Sequence, residues 1–275
     1  MEFMKIGNRV FDTRNHTYIM GILNVTPDSF SDGGAFQAID KALYKVQQMV
    51  EEGAHILDIG GESTRPGHQQ VEVYEEIERV LPIIERVVKE FDIPISIDTY
   101  KSQVAKAALS AGACMVNDIW GLGFDSQMVN VIREANASVC LMHNRHSIPE
   151  QEAKDQFLDN VIKALQESIQ KAEQGGISSN KIMIDPGVGF GKTYEQNLTI
   201  IGSLSRFTEL SYPVLLGTSR KSVIGLTLDL PITQREEGTL VTTVMAVMAG
   251  CSFVRVHDVE KNRRAIDMTK AILRP

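Results

Sequence analysis

Eight short segments rich in β-branched and aliphatic residues recur along the chain, each followed by a polar or glycine-bearing loop and then a stretch with helical periodicity. They are residues 18–23, 55–59, 95–97, 114–116, 138–142, 182–184, 214–216 and 253–256. The intervening stretches 38–52, 73–91 and 160–174 carry apolar residues at steps of three and four, the stripe of a helix packed on one side. Alternating strand and helix predicts a parallel sheet. Eight such units with no Pro- or Ser-rich linker favour an α/β fold closed into one (β/α)8 TIM barrel over an open doubly wound sheet. Length alone, 275 residues, permits one barrel or two small domains; the absence of a composition break favours a single domain, 1–275. Residues 4–11, with Gly7-Asn8 between apolar positions, predict a short N-terminal β-hairpin, a candidate plug for the barrel floor.

Composition narrows the function. With 43% hydrophobic and 23% charged residues the chain is of ordinary globular make-up, which excludes disordered and collagen-like classes. The formal charge is −7 and there is no long run of Lys or Arg, so the phosphate neutralisation that nucleic-acid binding requires has no source, and anionic partners must be met locally. Cys114, Cys140 and Cys251 contain no C-x-x-C pair, which gives neither a disulfide framework nor a zinc knuckle and fits a reducing compartment. The first residues lack the basic and apolar regions of a signal peptide. The longest uncharged apolar stretch, 240–250, is about half the ~20 residues of a membrane span. A cytoplasmic location is expected.

Catalytic groups of a barrel enzyme sit at the carboxyl ends of its strands. The first polar residues after each apolar run are Asn24, Asp58 with Glu62, Asp98, Asn117 with Asp118, His143, Asp185, Ser219 to Ser222 with Lys221, and Arg255 with His257. Any one of them could cap a helix or turn the chain. Together they divide chemically. Asp98, Asn117 and Asp185 suit a donor-rich heterocycle, whereas Lys221, Arg255 and His257 suit a phosphate or an electron-rich ring. The charges between Glu72 and Glu78, with Lys41 and Lys45, read as a solvated face.

Other chemistries fit less well. The run Gly187-Val-Gly-Phe-Gly-Lys-Thr193 is one residue short of a phosphate-binding loop and also misses the dinucleotide fingerprint. His143-Asn-Arg-His146 is the one close histidine pair, and no Ser nucleophile elbow occurs. A hard cation such as Mg2+ needs few protein oxygens when substrate phosphates supply the rest, so Asn24 or Asp28 could hold one.

Two long blocks carry a family resemblance. Residues 20–34, Met-Gly-Ile-Leu-Asn-Val-Thr-Pro-Asp-Ser-Phe-Ser-Asp-Gly-Gly, and 58–67, Asp-Ile-Gly-Gly-Glu-Ser-Thr-Arg-Pro-Gly, resemble the two signature loops of the dihydropteroate synthase family, folate-pathway enzymes inhibited by sulfonamides. The similarity continues, in order, through residues 96–100, 116–118, 141–143, 184–191, 217–222 and 254–257. One departure is Asn-Arg-His after His143, where the family has Met and soon after Gly.

The resemblance implies a pterin-binding TIM barrel that condenses 6-hydroxymethyl-7,8-dihydropterin diphosphate with p-aminobenzoate, with Mg2+ as cofactor and as a homodimer. It places Asp98, Asn117 and Asp185 on the pterin nitrogens, Lys221 at the pterin carbonyl edge and Arg255 flat on the ring. The diphosphate would meet Asn24, Thr64, Arg255 and His257, with Mg2+ on Asn24. The p-aminobenzoate would meet Thr64, Pro66, Phe190, Lys221 and Ser222, with Pro27, Phe30, Ser63 and Arg65 on the loops. Asp98, Asp185, Lys221 and Arg255 are the expected catalytic group. Phe190 as plain core and Arg65 as a solvated loop residue are the bland alternatives. A pterin-dependent methyltransferase or a non-catalytic pterin-binding paralogue would share Asp98, Asn117 and Asp185 but lack the paired loops.

Overall fold

The structure, a computed structural model, describes residues 2–25, 35–63, 70–145 and 153–274. Two antiparallel strands come first, β1 (Phe3–Ile6) and β2 (Arg9–Asp12), with Met4 opposite Phe11 across the Gly7-Asn8 turn. Eight parallel strands follow: β3 (Tyr18–Asn24), β4 (Ile56–Gly60), β5 (Ile95–Asp98), β6 (Met115–Asp118), β7 (Ser138–Met142), β8 (Ile182–Asp185), β9 (Leu215–Leu216) and β10 (Phe253–Val256). They pair in the order β8-β7-β6-β5-β4-β3-β10-β9, and a parallel bridge between Ile184 and Val214 joins the two ends. The ring is therefore a barrel and not an open sheet. All eight segments singled out by their composition are its strands.

Helices follow the barrel strands: α1 (Ala35–Glu52), α2 (Val73–Glu90), α3 (Ser102–Ser110), α4 (Met128–Glu134), α5 (Lys154–Gln174), α6 (Tyr194–Gly202), α7 (Ser205–Thr208), α8 (Ser222–Leu228), α9 (Glu236–Met248) and α10 (Val259–Leu273). The two-residue period of each strand sends alternate side chains to opposite faces. Leu57, Ile59, Ile95, Ile97, Val139 and Leu141 belong to the large buried cluster shared with helix residues such as Val80, Ile84 and Leu165.

The intervening residues face the barrel axis. At the amino ends of the strands Met20, Ile56, Met115, Cys140, Met183, Leu215 and Phe253 form a second apolar cluster, and Met4, Ile6 and Phe11 of the hairpin complete it. Phe11 meets Tyr18 edge-on at 4.9 Å and Phe253 at 5.6 Å. Burying each such side chain is worth roughly 1.5–3 kcal/mol, enough to seat the hairpin as the expected plug. One layer higher the inward positions turn polar, with Asp58 beside Ser96 and Asp98 beside Asn117 in register. The barrel is thus apolar and sealed at its floor and charged towards its mouth.

Candidate active site

The mouth is organised by one arginine. Arg255, inward-facing on β10, donates from Nε to Asp58 Oδ2 and from Nη2 to Asp98 Oδ2, both at 2.6 Å. Asp58 Oδ2 also accepts from Asn117 Nδ2 at 3.0 Å. Four strands, β4, β5, β6 and β10, are thereby tied across the barrel by charge-assisted hydrogen bonds. Burial works against the charge on Arg255, but Asp58 and Asp98 raise its pKa above that of an ordinary arginine, so it stays a cation. Burial pushes the Asp98 carboxyl up to about 7; Arg255 opposes the shift and Asp58 adds to it. Asp58 Oδ1, Asp98 Oδ1 and Ser96 Oγ are buried without a hydrogen-bond partner. Unpaired buried acceptors are costly, and a ligand bearing N–H groups would relieve that cost.

Asp185 and Lys221 approach Arg255 from the opposite wall. A Cβ on Gly217 would lie 3.5 Å from Asp185 Oδ2, 3.7 Å from Lys221 Nζ and 3.9 Å from Arg255 Cβ. Glycine leaves the space among these three charged groups open, so any side chain there would fill the floor of the site. Asp185 is raised from the ordinary carboxylate range by burial, against which Lys221 and a 2.7 Å hydrogen bond from the Gly187 N–H both act. Lys221 is lowered to about 8 by burial, with Asp185 working in the opposite sense. Its ammonium donates to the Val188 carbonyl at 2.5 Å and lies 4.6 Å from the centre of the Phe190 ring, close enough for a cation–π contact. Phe190 is half-buried and packs with Tyr100, Ile119 and Met142 rather than in the main core.

The loop from Gly187 to Thr193 shapes this wall and is no phosphate cradle. Lys192 is buried and donates to the carbonyls of His143 (3.1 Å), Gly187 (2.7 Å) and Phe190 (2.9 Å), one acceptor for each N–H of an ammonium. Gly187 has φ +73, and a Cβ there would sit 1.9 Å from the His143 carbonyl oxygen. Thr193 then opens α6 with a reciprocal capping box to Gln196. His143 is held neutral, its pKa lowered to about 3 by burial, with Lys192 and Arg145 adding to the shift.

On the rim, Ser219 Oγ lies 2.9 Å from His257 Nδ1 and accepts from the His257 backbone N–H at 3.2 Å. Asn24 ends β3, half-buried, opposite Gly60 in register. Ser63 follows β4, also half-buried, and Ser222 is exposed at the start of α8. Pro27, Phe30, Thr64, Arg65 and Pro66 lie outside the described residues, as does Asp28. The structure therefore brings together Asp98, Asn117, Asp185, Phe190, Lys221 and Arg255, with His257 at the edge.

Asp58 is the residue that sequence reasoning passed over. It stands with the other strand-end polar residues, yet only the fold makes it the shared acceptor of Arg255 and Asn117. Asp118, its neighbour in that inventory, faces the other way and accepts from the backbone N–H groups of Trp120 and Leu122. Glu76 corrects the solvated-face reading. It is 1% exposed and ion-paired to Lys101 at 2.6 Å. The signal was its place four residues before Val80, in the buried stripe continued by Ile83, Ile84 and Val87.

The family model described as pterin binding enzyme matches residues 20–257. The chain is 53% identical over 272 residues to the dihydropteroate synthase of Clostridium beijerinckii, covering 98% of this chain and 100% of that protein. A crystal structure of the Clostridium difficile dihydropteroate synthase in the presence of pteroic acid has a TM-score of 0.92 at 50% identity, covering 96% of this chain and 100% of that one. The Xanthomonas albilineans dihydropteroate synthase with 4-aminobenzoic acid has a TM-score of 0.93 at 39% identity, covering 100% and 99%.

Proposed function

The chain belongs to the dihydropteroate synthase family of pterin-binding enzymes, and from that premise we propose how its residues divide the condensation of 6-hydroxymethyl-7,8-dihydropterin diphosphate with p-aminobenzoate. The pterin ring lies deep in the mouth. Its amino and ring N–H groups donate to Asp98 and Asp185, Asn117 pairs with a ring edge, and Lys221 meets the carbonyl side. Arg255 lies against the ring face, where its planar guanidinium can stack while Asp58 and Asp98 hold it in place. The observation that carries this reading is the Arg255 bridge between Asp58 and Asp98, each with its second oxygen buried and unpaired.

The bond from the pterin methylene to the diphosphate oxygen breaks with its electron pair going to diphosphate, whose charge is met by Arg255, His257, Asn24 and Thr64. Carboxylates beside the pterin stabilise the positive charge that develops on the methylene. The aniline nitrogen of p-aminobenzoate then forms the new C–N bond and releases a proton. Thr64, Pro66, Phe190, Lys221 and Ser222 line that second subsite, with Ser63, Arg65, Pro27 and Phe30 on the adjoining segments. Sulfonamides would compete there as analogues of p-aminobenzoate.

Among the described residues no group of three His, Cys, Asp or Glu side chains could hold a metal by itself. An ion that comes with the diphosphate needs few protein oxygens, and Asn24 would give it one amide oxygen. Bound Mg2+ would offset the charge on the leaving group. Three free cysteines support a reducing, cytoplasmic setting, and no described helix is long and apolar enough to cross a membrane. We read the protein as a single domain and a homodimer. The direct test is incubation of both substrates with Mg2+, reading dihydropteroate and diphosphate; formation of both, lost in Asp98→Asn, is expected. Absence of dihydropteroate with the unsubstituted protein would favour a pterin-binding paralogue.

A further inference from the structure

Beside the pterin pocket, one ammonium and two carboxylates are buried together where the chain after β4, helix α2 and the start of α3 meet. The side chains of Lys101, Glu62 and Glu76 are 7%, 3% and 1% exposed. Lys101 Nζ donates to Glu62 Oε2, to Glu76 Oε2 at 2.6 Å and to the backbone carbonyl of Val71 at 2.5 Å. Three N–H groups thus meet three acceptors, one on the chain leaving β4 and two on the chain entering α2. Glu62 Oε2 also accepts from the Val71 N–H at 3.1 Å, and Glu62 Oε1 accepts from the Tyr100 hydroxyl at 2.7 Å. Both polar atoms of the Val71 backbone are therefore committed to this cluster.

A buried ion cluster is a poor device for stability, since well-packed apolar side chains would do as well. Its use is to hold a particular arrangement. Glu62 lies on the chain leaving β4, whereas Val71 and Glu76 lie on the chain returning to α2, so Lys101 fastens the two ends of the intervening segment to each other. Arg79 of α2 adds a second fastening by donating to the Gly61 carbonyl at 2.8 Å. On the opposite side Tyr100 sets its ring edge-on to Phe124 at 4.6 Å, which fixes the hydroxyl that holds Glu62.

We propose that Lys101 is a positioning residue for the p-aminobenzoate half of the reaction: by tying Glu62 to Val71 and Glu76 it fixes the chain at Ser63, where it leaves β4, and at Gln70, where it returns towards α2. The inference rests on the reading above that Ser63, Thr64, Arg65 and Pro66 serve the p-aminobenzoate subsite. Lys101 touches neither substrate; it acts through the chain it holds.

The test compares KM for each substrate in three variants of the full-length protein. Lys101→Met with Glu76→Gln removes the tie to Val71 while keeping the cluster's net charge at −1, the charge now on Glu62 alone. Glu62→Gln is the second, milder variant should the first fail to fold. Arg65→Ala reports on the subsite itself. Misplacement by about an ångström can cost up to about a hundredfold, so KM for p-aminobenzoate should rise about tenfold or more in both cluster variants, with KM for the pterin diphosphate within about twofold. If Arg65→Ala raises KM for p-aminobenzoate and the cluster variants do not, the proposal fails and the subsite reading survives. If none of the three moves it, both fail. Parallel rises in both KM values with a fall in kcat would mean a merely structural cluster and would also overturn the proposal.

Discussion

Arg255 and Asp98 meet at 2.6 Å through a single carboxylate oxygen, and the other oxygen of Asp98 is buried with no donor. The acid form of Asp98 persists up to about pH 7 because burial, opposed by Arg255 and reinforced by Asp58, favours it. With Oδ2 accepting from Arg255, the acid proton falls on Oδ1, so an N–H of the pterin can be accepted there only by the ionised form. Affinity for a pterin ligand such as pteroic acid should therefore rise with pH up to about 7, by at most about tenfold per unit, and level off above it. Asp98→Asn should bind weakly with a flat profile. Calorimetric titration between pH 5.5 and 8.5 checks this, and a pH-dependent affinity retained in Asp98→Asn would assign the titration to another group.

Asp58 accepts from both Arg255 and Asn117. Replacing it with Asn weakens a charged hydrogen bond worth roughly 1.5–3 kcal/mol and frees the guanidinium to swing from its place. Pterin affinity should fall about ten- to hundredfold while far-UV circular dichroism stays unchanged. Unaltered affinity would remove Asp58 from the site.

Lys221 titrates at about 8 because burial disfavours its charge more than Asp185 restores it. As pH rises through 8 the ammonium becomes an amine and loses its charge over Phe190 and towards the pterin carbonyl. kcat/KM should decline above pH 8, and Lys221→Met should be slow with no such limb. A decline of equal midpoint in Lys221→Met would point elsewhere.

Asn24 and Gly60 are register partners, so β3 and β4 end side by side at the rim. A diphosphate held by Asn24 and Thr64 would anchor both. p-Aminobenzoate should bind measurably only after the pterin diphosphate or Mg2+-diphosphate. Calorimetry with and without Mg2+-diphosphate decides it: equal affinity in the two titrations would sink ordered binding.

The packed pair α9 and α10 presents exposed Val241 and Met248 on one helix and Met268 and Ile272 on the other. A dimer would cover such residues. Light scattering at micromolar concentration should give twice the 30.5 kDa chain mass. Val241→Glu with Met248→Glu should shift it towards one chain; a monomer mass for the unsubstituted protein would refute the dimer.

The barrel was legible in the sequence because period-two strands and period-three-to-four helices alternate through the chain, and because the hairpin carries apolar residues at Met4, Ile6 and Phe11. The polar strand ends were legible for the same reason: position on a barrel strand fixes which way a side chain points. Partnership was not. Nothing in the order of residues says that Arg255 reaches across to Asp58, 197 positions away, rather than only to a ligand. Nor does a run of glutamates reveal that Glu76 alone turns inwards to Lys101; that depends on α2 lying against the chain after β4.

The hairpin plug makes the barrel a blind alley. With Met4, Ile6 and Phe11 closing the amino-terminal end, everything that enters by the mouth must return through it. Dihydropteroate, with its pterin end innermost, would have to back out along the path by which p-aminobenzoate arrived. Traffic is then single-file: a second turnover cannot begin until the aminobenzoate end of the previous product has cleared the entrance, and a molecule wedged at that entrance detains whatever lies beneath it.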